Sequence, residues 1–244
     1  TLLGMDTDNS LLAVIDLVGA ERGETDLVLA TGDLSDHGFT EAYQRLLDYL
    51  YTLGPNFWLT GNHDDRDAMQ AAMGERNRLH SEILVAGWQI LMLDSQVAGE
   101  VGGKLGELEL AYLDEALASA QQRGLFSLVC LHHQPVAVGT PWLDEQMVAD
   151  ADQFFAVLDR YPGVRAVLWG HVHQQIDRRR GELQLMASPS TCVQFAPGYE
   201  NFKADDQPPG YRWLELKPDG TVESGVSRVR DVEFVVDLDS GGYL

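Results

Sequence analysis

Short apolar runs alternate with segments of helical periodicity over residues 10–169, and this alternation restricts the fold more than any other feature of the chain. The helical segments lie at residues 10–18, 40–51, 107–121 and 151–160, and the apolar runs at residues 27–30, 57–59, 126–131 and 164–169. Continuous apolar runs of this length are typical of parallel strands buried on both faces. The repeated order of helix and strand therefore predicts an α/β sheet, with Ser10 capping the first helix.

The pattern changes after residue 170, where short strands separated by proline and glycine turns replace the helices. The pair Asp219-Gly220 between two apolar stretches predicts a β-hairpin, and Ala86-Gly87 predicts a second one. No stretch has the composition of a linker. We therefore expect one domain over residues 1–229, followed by an acidic tail at residues 230–244 that could serve as the arm of a homodimer or could simply be frayed.

The charge of the chain excludes several classes of partner. The 17 lysines and arginines stand against 38 aspartates and glutamates, which gives a net charge of −21. Such a chain repels nucleic acids and anionic membranes, and the basic run Arg178-Arg179-Arg180 is typical of a solvated hairpin tip. A small anionic substrate is not excluded, because bound divalent cations can reverse the sign of a local field.

Cysteine content and hydropathy indicate the compartment. Cys130 and Cys192 are too few for a disulfide framework, which favours a reducing environment, and we expect a cytoplasmic protein. The longest apolar runs are far shorter than the roughly 18 residues of a membrane span. No membrane association is therefore expected.

Four polar motifs follow the four predicted strands of the first 170 residues. They are Gly32-Asp33, Gly61-Asn62-His63-Asp64, His132-His133 and Gly170-His171-Val172-His173. Loops at the carboxyl ends of strands in an open α/β sheet face one crevice, so we expect these side chains to converge. Carboxylate, amide and imidazole groups together suit Mn, Fe or Zn, and the absence of cysteine argues against a structural zinc site.

Each motif is weak when taken alone. A single Gly-Asp pair is usually a turn, and a single buried histidine is usually a hydrogen-bonded core residue. The ordered set of four motifs at strand ends is much more specific and favours a metal centre. The glycine before three of the motifs would allow the backbone to approach the metals closely.

The order of these motifs resembles that of the calcineurin-like metallophosphoesterase superfamily over residues 1–229. The intervening stretches at residues 93–97, 106–108, 142–144 and 189–195 are similar to those of bacterial class III 3′,5′-cyclic-AMP phosphodiesterases. The resemblance implies a four-layer αββα sandwich. It also implies hydrolysis of 3′,5′-cyclic AMP to 5′-AMP at a dinuclear centre of Fe, Mn or Zn, with a metal-bound hydroxide as the nucleophile.

The resemblance also implies a role for each motif residue. Asp33 would bridge the two metals, and His173 would bind the first of them. The second metal would be completed by Asn62, His132 and His171. His63 would be the catalytic residue that protonates the ribose 3′ oxygen or stabilises charge on it. The substrate phosphate would contact Asp33, Asn62, His63, His132 and His173.

The neighbours of the ligands receive weaker assignments. Asp64 is expected to orient His63 or its loop, as carboxylates next to metal sites often do. His133 has no assigned ligand role, and packing is the simpler interpretation. An adenine base would need an aromatic or apolar wall, for which the candidates are Trp142, Phe195, Tyr199 and Tyr211, although core or hairpin positions are the commoner role of such residues.

One family motif does not occur in the chain. The Asp-x-His motif that ends the family's first strand should precede the helix at Ser10, and Asp6-Thr7-Asp8 has no histidine. We therefore expect a strand and a loop of about 25 to 30 residues to be missing upstream. The first metal is left with Asp33 and His173.

Two alternatives remain open. The same metals could serve another phosphoesterase, acting on glycerophosphodiesters, nucleotides or phosphomonoesters. The chain could also be a catalytically impaired metal-binding scaffold, because it lacks the Asp-x-His motif.

Overall fold

The computed structural model describes residues 1–242 and contains both helices and strands along most of that length. The helices are α1 (Thr7–Arg22), α2 (Thr40–Tyr51), α3 (Arg66–Met73), α4 (Gly106–Arg123), α5 (Pro141–Asp144) and α6 (Ala151–Leu158). The strands are β1 (Val28–Ala30), β2 (Asn56–Trp58), β3 (Glu82–Val85), β4 (Trp88–Met92), β5 (Phe126–Leu131), β6 (Val164–Trp169), β7 (Ile176–Arg180), β8 (Leu183–Ala187), β9 (Gln194–Phe195), β10 (Ala204–Asp205), β11 (Gly210–Leu216) and β12 (Val222–Arg228).

A mixed sheet in the order β3-β4-β5-β6-β8-β7 forms the centre of the molecule. Strands β4, β5, β6 and β8 are parallel, and the edge strands β3 and β7 run antiparallel to their neighbours. The inner strands are mostly apolar because both faces of the sheet are covered, and each contains a single polar or charged residue. The two predicted hairpins are confirmed as β3/β4 and β11/β12.

A second layer of strands packs on one face of this sheet. It contains the parallel pair β1/β2 and the antiparallel pair β11/β12. The side chains of β1 and its flank alternate, since Leu27 and Leu29 pack toward Leu128 and Leu168 of the central sheet, whereas Val28 and Ala30 pack toward the helices. This alternation places β1 between two cores.

Helices cover the two outer faces. Helices α1, α2 and α3 contribute to the core that includes Trp58, and α4 and α6 contribute to the core on the far side of the central sheet. The order of layers is therefore helix, strand, strand, helix. The expected αββα sandwich is confirmed, whereas the expectation of one open sheet is wrong, because β1 and β2 lie in a different sheet from β5 and β6.

Three helices differ from the sequence-based prediction, and one of them is the four-residue α5, which was not predicted. Helix α1 begins at Thr7 because the side chain of Asp6 accepts the Asn9 backbone N–H at 3.1 Å; Ser10 lies inside the helix and bonds the Thr7 carbonyl. Helix α3 was not predicted. It is short, is capped by Asp65, and its buried residues are Met69 and Met73, so it offers little periodicity to detect.

The tail lies against the start of the chain. The Asp237 backbone N–H donates to the Leu3 carbonyl at 2.8 Å, and Phe234 and Val236 pack against the core. Positions 243 and 244 of the predicted tail lie outside the described residues. Within residues 1–242, no helix combines the length and the apolar character that a membrane crossing requires.

A cleft of about 1060 Å³ separates the two halves of the second layer. Strand β1 forms one wall and β11 forms the other, while Ile90, Leu128 and Leu168 of the central sheet form the floor. Within the described residues β1 pairs only with β2 and β11 only with β12, so each wall presents a strand edge. One end of the cleft reaches Asp33 and His173.

Candidate metal centre

The four polar motifs converge at the carboxyl ends of β1, β2, β5 and β6. The convergence predicted from the sequence is confirmed for Asp33, Asn62, His132 and His171, which hydrogen-bond distances join to one another. They meet across the boundary between the two sheets. The site is thus built at a junction of layers rather than along one sheet edge.

Asp33 occupies the centre of the group. Its Oδ1 accepts the His63 backbone N–H at 3.0 Å, and its Oδ2 lies 3.2 Å from His132 Nε2. Burial opposes ionisation of this carboxyl, but the charge and hydrogen bond of His132, with His63 and His171, hold its pKa well below the ordinary value. Asp33 is therefore a buried anion that requires a cationic partner.

The tautomer of His132 is fixed by the backbone. Its Nδ1 lies 2.7 Å from the Thr31 carbonyl oxygen and donates to it. The other ring nitrogen, Nε2, faces Asp33 and also lies 3.3 Å from Asn62 Oδ1. In the neutral ring this Nε2 carries a lone pair.

The ring of His171 also faces His132 Nε2. Its Nε2 lies 2.8 Å from Gln146 Oε1, an amide oxygen that only accepts, so Nε2 carries the proton. Its Nδ1 then carries a lone pair and lies 3.3 Å from His132 Nε2.

Four electron-pair donors thus face one another. They are Asp33 Oδ2, Asn62 Oδ1, His132 Nε2 and His171 Nδ1. Lone pairs that face one another in this way repel unless a proton or a cation lies between them. The donor set of two oxygens and two imidazole nitrogens fits Mn, Fe or Zn, so the residues present fit a divalent metal.

The pKa values of the two rings agree with a cation at this point. Burial lowers the pKa of His171 well below its usual range, with the charge of His132 as the next cause. Burial also acts to lower the pKa of His132, but the Asp33 charge and hydrogen bond outweigh it and the pKa is raised. Without a metal, the Asp33 carboxylate therefore favours protonation of the His132 ring.

His173 is fixed in a similar way but stands to one side of the four donors. Its Nδ1 lies 2.8 Å from the Val193 carbonyl oxygen, and its ring stacks on Phe195 with centroids 4.1 Å apart and planes 7° from parallel. Burial, partly opposed by the Asp33 charge, lowers its pKa to about 4, so the ring is neutral near pH 7. Its Nε2 is then the nitrogen that can bind a metal.

His63 is anchored at its backbone and at its ring. Its backbone N–H is held by Asp33, and its Nδ1 lies 3.2 Å from the Asp36 carbonyl oxygen and 3.5 Å from Asp36 Oδ1. The side chain is 17 % exposed, so it borders the site rather than lying beneath it. Asp36, which the sequence did not single out, is the carboxylate that orients this ring.

Asp64 holds two loops of the site together. It accepts the backbone N–H groups of Leu34 (2.9 Å), Ser35 (3.0 Å) and Gly61 (2.9 Å) and the Tyr43 hydroxyl (2.9 Å). Burial, and then the charge of Asp33, raises its pKa to about 6. Asp64 thereby ties the loop after β1 to the loop after β2.

The ring of His133 lies beside the site, and its two nitrogens are already engaged. His132, His133 and His171 each have a ring nitrogen within 4.8 Å of the others. The His133 Nε2 donates to the Val101 carbonyl at 3.1 Å, and its Nδ1 accepts from the Ser95 hydroxyl at 2.8 Å. These bonds agree with the packing role suggested by the sequence.

Gly32 and Gly61 lie in close contact with the proposed ligand side chains. A Cβ at Gly61 would collide with the Asp33 carboxylate and the His132 ring, and one at Gly32 would collide with the same ring. Asp33, His171 and His173 themselves adopt positive φ angles of 55°, 57° and 48°. Such conformations are costly for residues with a Cβ and cluster at functional sites.

The four aromatic candidates for a base-binding wall do not form one surface, although two of them pack together. Phe195 is buried against His173, Trp142 packs on Phe195 and Phe202, and Tyr199 is half exposed. Tyr211 donates its hydroxyl to Glu21 at 2.8 Å on the β11 wall of the cleft. None of these four contacts assigns a base site.

Several partners of the ligands were not predicted. Gln146 and the carbonyls of Thr31 and Val193 hold the imidazole rings. Backbone acceptors leave no sequence signal, and Gln146 lies in none of the four motifs.

Residues 4–175 match the profile of the family described as calcineurin-like phosphoesterase. The chain belongs to the calcineurin-like phosphoesterase family. The four motifs of the metal centre all lie within residues 4–175.

Relatives in this phosphoesterase family match along nearly the whole chain. The chain is 46% identical over 243 residues to the 3′,5′-cyclic adenosine monophosphate phosphodiesterase CpdA of Pseudomonas aeruginosa, covering 99% of this chain and 89% of that protein. It is 40% identical to CpdA of Escherichia coli K12, covering 99% and 88%. A 3′,5′-cyclic-nucleotide phosphodiesterase of Nostoc is 38% identical, covering 93% and 86%.

Among solved structures, a dimetal phosphatase of Danio rerio shares the fold. Its TM-score is 0.61 at 15% identity, covering 95% of this chain and 89% of that one. The expected phosphoesterase fold is thus confirmed.

Proposed function

We propose that this phosphoesterase hydrolyses 3′,5′-cyclic AMP to 5′-AMP at a dinuclear divalent metal centre. The observation that carries the proposal is the convergence of four electron-pair donors from Asp33, Asn62, His132 and His171. The substrate assignment is supported by the relatives named as cyclic AMP phosphodiesterases. The metals, Fe, Mn or Zn, would give an acidic chain the positive charge that a phosphate requires.

Two divalent ions would lower the pKa of a water to generate the hydroxide nucleophile and would neutralise charge on the phosphodiester. Asp33 would contribute to both metal sites, since its two oxygens face different neighbours. The Nε2 atom of His173 would bind the first metal. Asp33, Asn62, His63, His132 and His173 would surround the phosphate.

His63 would act on the leaving group. Its Nδ1 is engaged by Asp36, which directs Nε2 away from that loop. A proton on Nε2 would pass to the ribose 3′ oxygen as the P–O bond breaks, and the attacking oxygen would remain on the phosphate of 5′-AMP. Because the His63 backbone is bound to Asp33, the donor and the metal site would keep a fixed separation.

Steady-state rates test the substrate assignment. The metal-loaded protein would be assayed with 3′,5′-cyclic AMP, 3′,5′-cyclic GMP, 2′,3′-cyclic AMP and bis(p-nitrophenyl) phosphate. We expect the highest kcat/KM for 3′,5′-cyclic AMP. A rate no better than that of the generic diester would favour another phosphodiesterase or a nucleotidase.

We further propose that residues 1–229 form one domain that needs one more strand. The cleft between β1 and β11 has two unpaired strand edges and opens at Asp33 and His173. A strand residue inside a layered sheet occupies roughly 3.3 × 4.8 × 10 Å, or about 160 Å³. The cleft volume of about 1060 Å³ therefore suits about six or seven residues.

Such a strand would join β1 and β11 into one continuous second sheet. It would come from polypeptide outside residues 1–244, and the relatives have the length for it, since this chain covers 88–89% of the CpdA proteins. Its end would lie beside Asp33 and His173, where the first metal needs further ligands.

The alternative of an impaired scaffold is favoured by one observation, the two ligands available to the first metal within residues 1–242. We propose a cytoplasmic location, supported by the two free cysteines, and a possible homodimer in which residues of the tail participate. Gel filtration with light scattering would test the oligomeric state.

A further inference from the structure

Three histidines of the metal centre are held by different kinds of partner. His132 and His173 each donate Nδ1–H to a backbone carbonyl, of Thr31 and Val193 respectively, which leaves Nε2 for a metal. His171 is held the other way round, with Nε2 on the side chain of Gln146 and Nδ1 toward the site. The ring nitrogen that His171 offers to a metal therefore depends on a side chain, which can be substituted by mutagenesis.

We propose that Gln146 is a positioning residue that fixes His171 in the tautomer presenting Nδ1 to the metal. The amide oxygen, 2.8 Å from His171 Nε2, requires a proton on that nitrogen. A neutral imidazole carries one proton, so Nδ1 must then hold its lone pair. In the other tautomer Nδ1–H would point at His132 Nε2, 3.3 Å away, and would block the metal position.

The burial of His171 makes this contact decisive. The residue is 7 % exposed, so little water competes for its Nε2. An imidazole N–H without an acceptor at a buried position would cost the free energy of an unmade hydrogen bond. Gln146 supplies that acceptor without adding a charge to a site that already holds Asp33.

The backbone around Gln146 keeps the amide in place. The Gln146 N–H donates to the Leu143 carbonyl at 2.9 Å, and the Gly103 N–H donates to the Gln146 carbonyl at 3.4 Å. The Leu143 carbonyl also accepts from the side chain of Gln134, which is fully buried. The turn after α5 is therefore tied both to the loop before α4 and to the segment after β5.

The inference rests on the proposed function only in requiring a metal at His171, and its test does not involve catalysis. The tautomer is read from the ring ¹⁵N shifts of His171 in the metal-free protein, assigned by their loss in His171→Asn. Mn²⁺ and Zn²⁺ affinities are measured by calorimetry. The variants are Gln146→Met, which keeps the size without the acceptor, Gln146→Glu, which keeps the acceptor, and Gln121→Met on the exposed face of α4 as control.

We expect the Nε2–H tautomer in the wild-type protein, in Gln146→Glu and in the control. Gln146→Met should populate the Nδ1–H tautomer and bind metal about 10- to 100-fold more weakly. Gln146→Glu should retain or exceed the wild-type affinity, which a role in packing alone does not explain. If Gln146→Met unfolds, the tautomer of His171 in the wild-type protein and the metal affinity of Gln146→Glu still test the positioning role.

Several results would overturn the inference. They are an Nδ1–H tautomer in the wild-type protein, wild-type affinity in Gln146→Met, or loss of affinity in a folded Gln146→Glu. Failure of the wild-type protein to bind any divalent metal would overturn the proposed function as well. Metal binding by the wild-type protein that is unchanged by substitution of Gln146 would overturn the positioning role alone.

Discussion

The Oδ2 atom of Asp33 lies 3.2 Å from the Nε2 atom of His132, and this contact joins the loop after β1 in one sheet to the end of β5 in the other. Asp33 follows β1 and His132 follows β5, and these two strands lie in different sheets. The metal centre is therefore a tertiary feature, and its integrity depends on how the two layers of strands pack.

Replacing Asp33 or His63 should separate metal binding from proton transfer. Asp33→Ala removes the carboxylate that faces both proposed metals, so we expect loss of bound metal and of activity. His63→Ala leaves the four donors intact and should lower kcat by about 10²- to 10⁴-fold with metal content near wild type. Metal analysis by mass spectrometry and steady-state rates would measure both, and equal metal loss in the two variants would contradict the assigned roles.

A single methyl group at Gly61 should disrupt the centre. Gly61→Ala places a Cβ against the Asp33 carboxylate and the His132 ring, so we expect weaker Mn²⁺ binding in calorimetry. Gly19→Ala is the matched control, because Gly19 lies in α1 with open space around its Cβ position. The control should raise the free energy of unfolding by about 1 kcal/mol. Unchanged metal affinity in Gly61→Ala would show that the close packing at this glycine is not needed.

The hydrogen bonds accepted by Asp64 should contribute to the free energy of unfolding. Asp64→Ala leaves three backbone N–H groups and the Tyr43 hydroxyl without their acceptor, which should cost about 3 kcal/mol in urea unfolding. Tyr43→Phe removes one donor to Asp64 and the acceptor of the Asp65 backbone N–H but leaves the carboxylate bound to the loops, so its cost should be smaller, about 1 to 2 kcal/mol. Equal costs would mean that the backbone donors find other partners.

If a further strand fills the cleft between β1 and β11, a longer chain should be more stable than residues 1–244. A chain that includes the residues encoded on either side of residues 1–244 should show slower amide hydrogen exchange in both strands and a higher Tm. It should also bind a second metal. If exchange in β11 is the same in the two chains, no strand enters the cleft and the scaffold alternative gains support.

Much of the fold follows from local pattern. Strands β5 and β6 are mostly apolar because both faces of the sheet are covered. The hairpin at Ala86-Gly87 is set by two positive φ angles of 45° and 87°. Helix α3 could not be predicted, since eight residues contain too few buried positions to form a period. The division into two sheets was expected only from the family resemblance, because the sequence of a strand such as β1 does not indicate which strand it pairs with.

The candidate site was predicted to a similar degree. The motif residues could be selected because Asp33, Asn62, His132 and His171 all follow strands, and the structure brings them together. Gln146 could not be predicted because it contacts His171 only in the folded structure. Carbonyl partners such as Thr31 are beyond any sequence pattern, since every residue has the same backbone acceptor.

Anomalous diffraction from crystals soaked in Mn²⁺ tests the central claim most directly. We predict a peak about 2.0 to 2.3 Å from Asp33 Oδ2, Asn62 Oδ1, His132 Nε2 and His171 Nδ1. A peak coordinated by His133, or no peak among these four atoms at saturating Mn²⁺, would contradict the account.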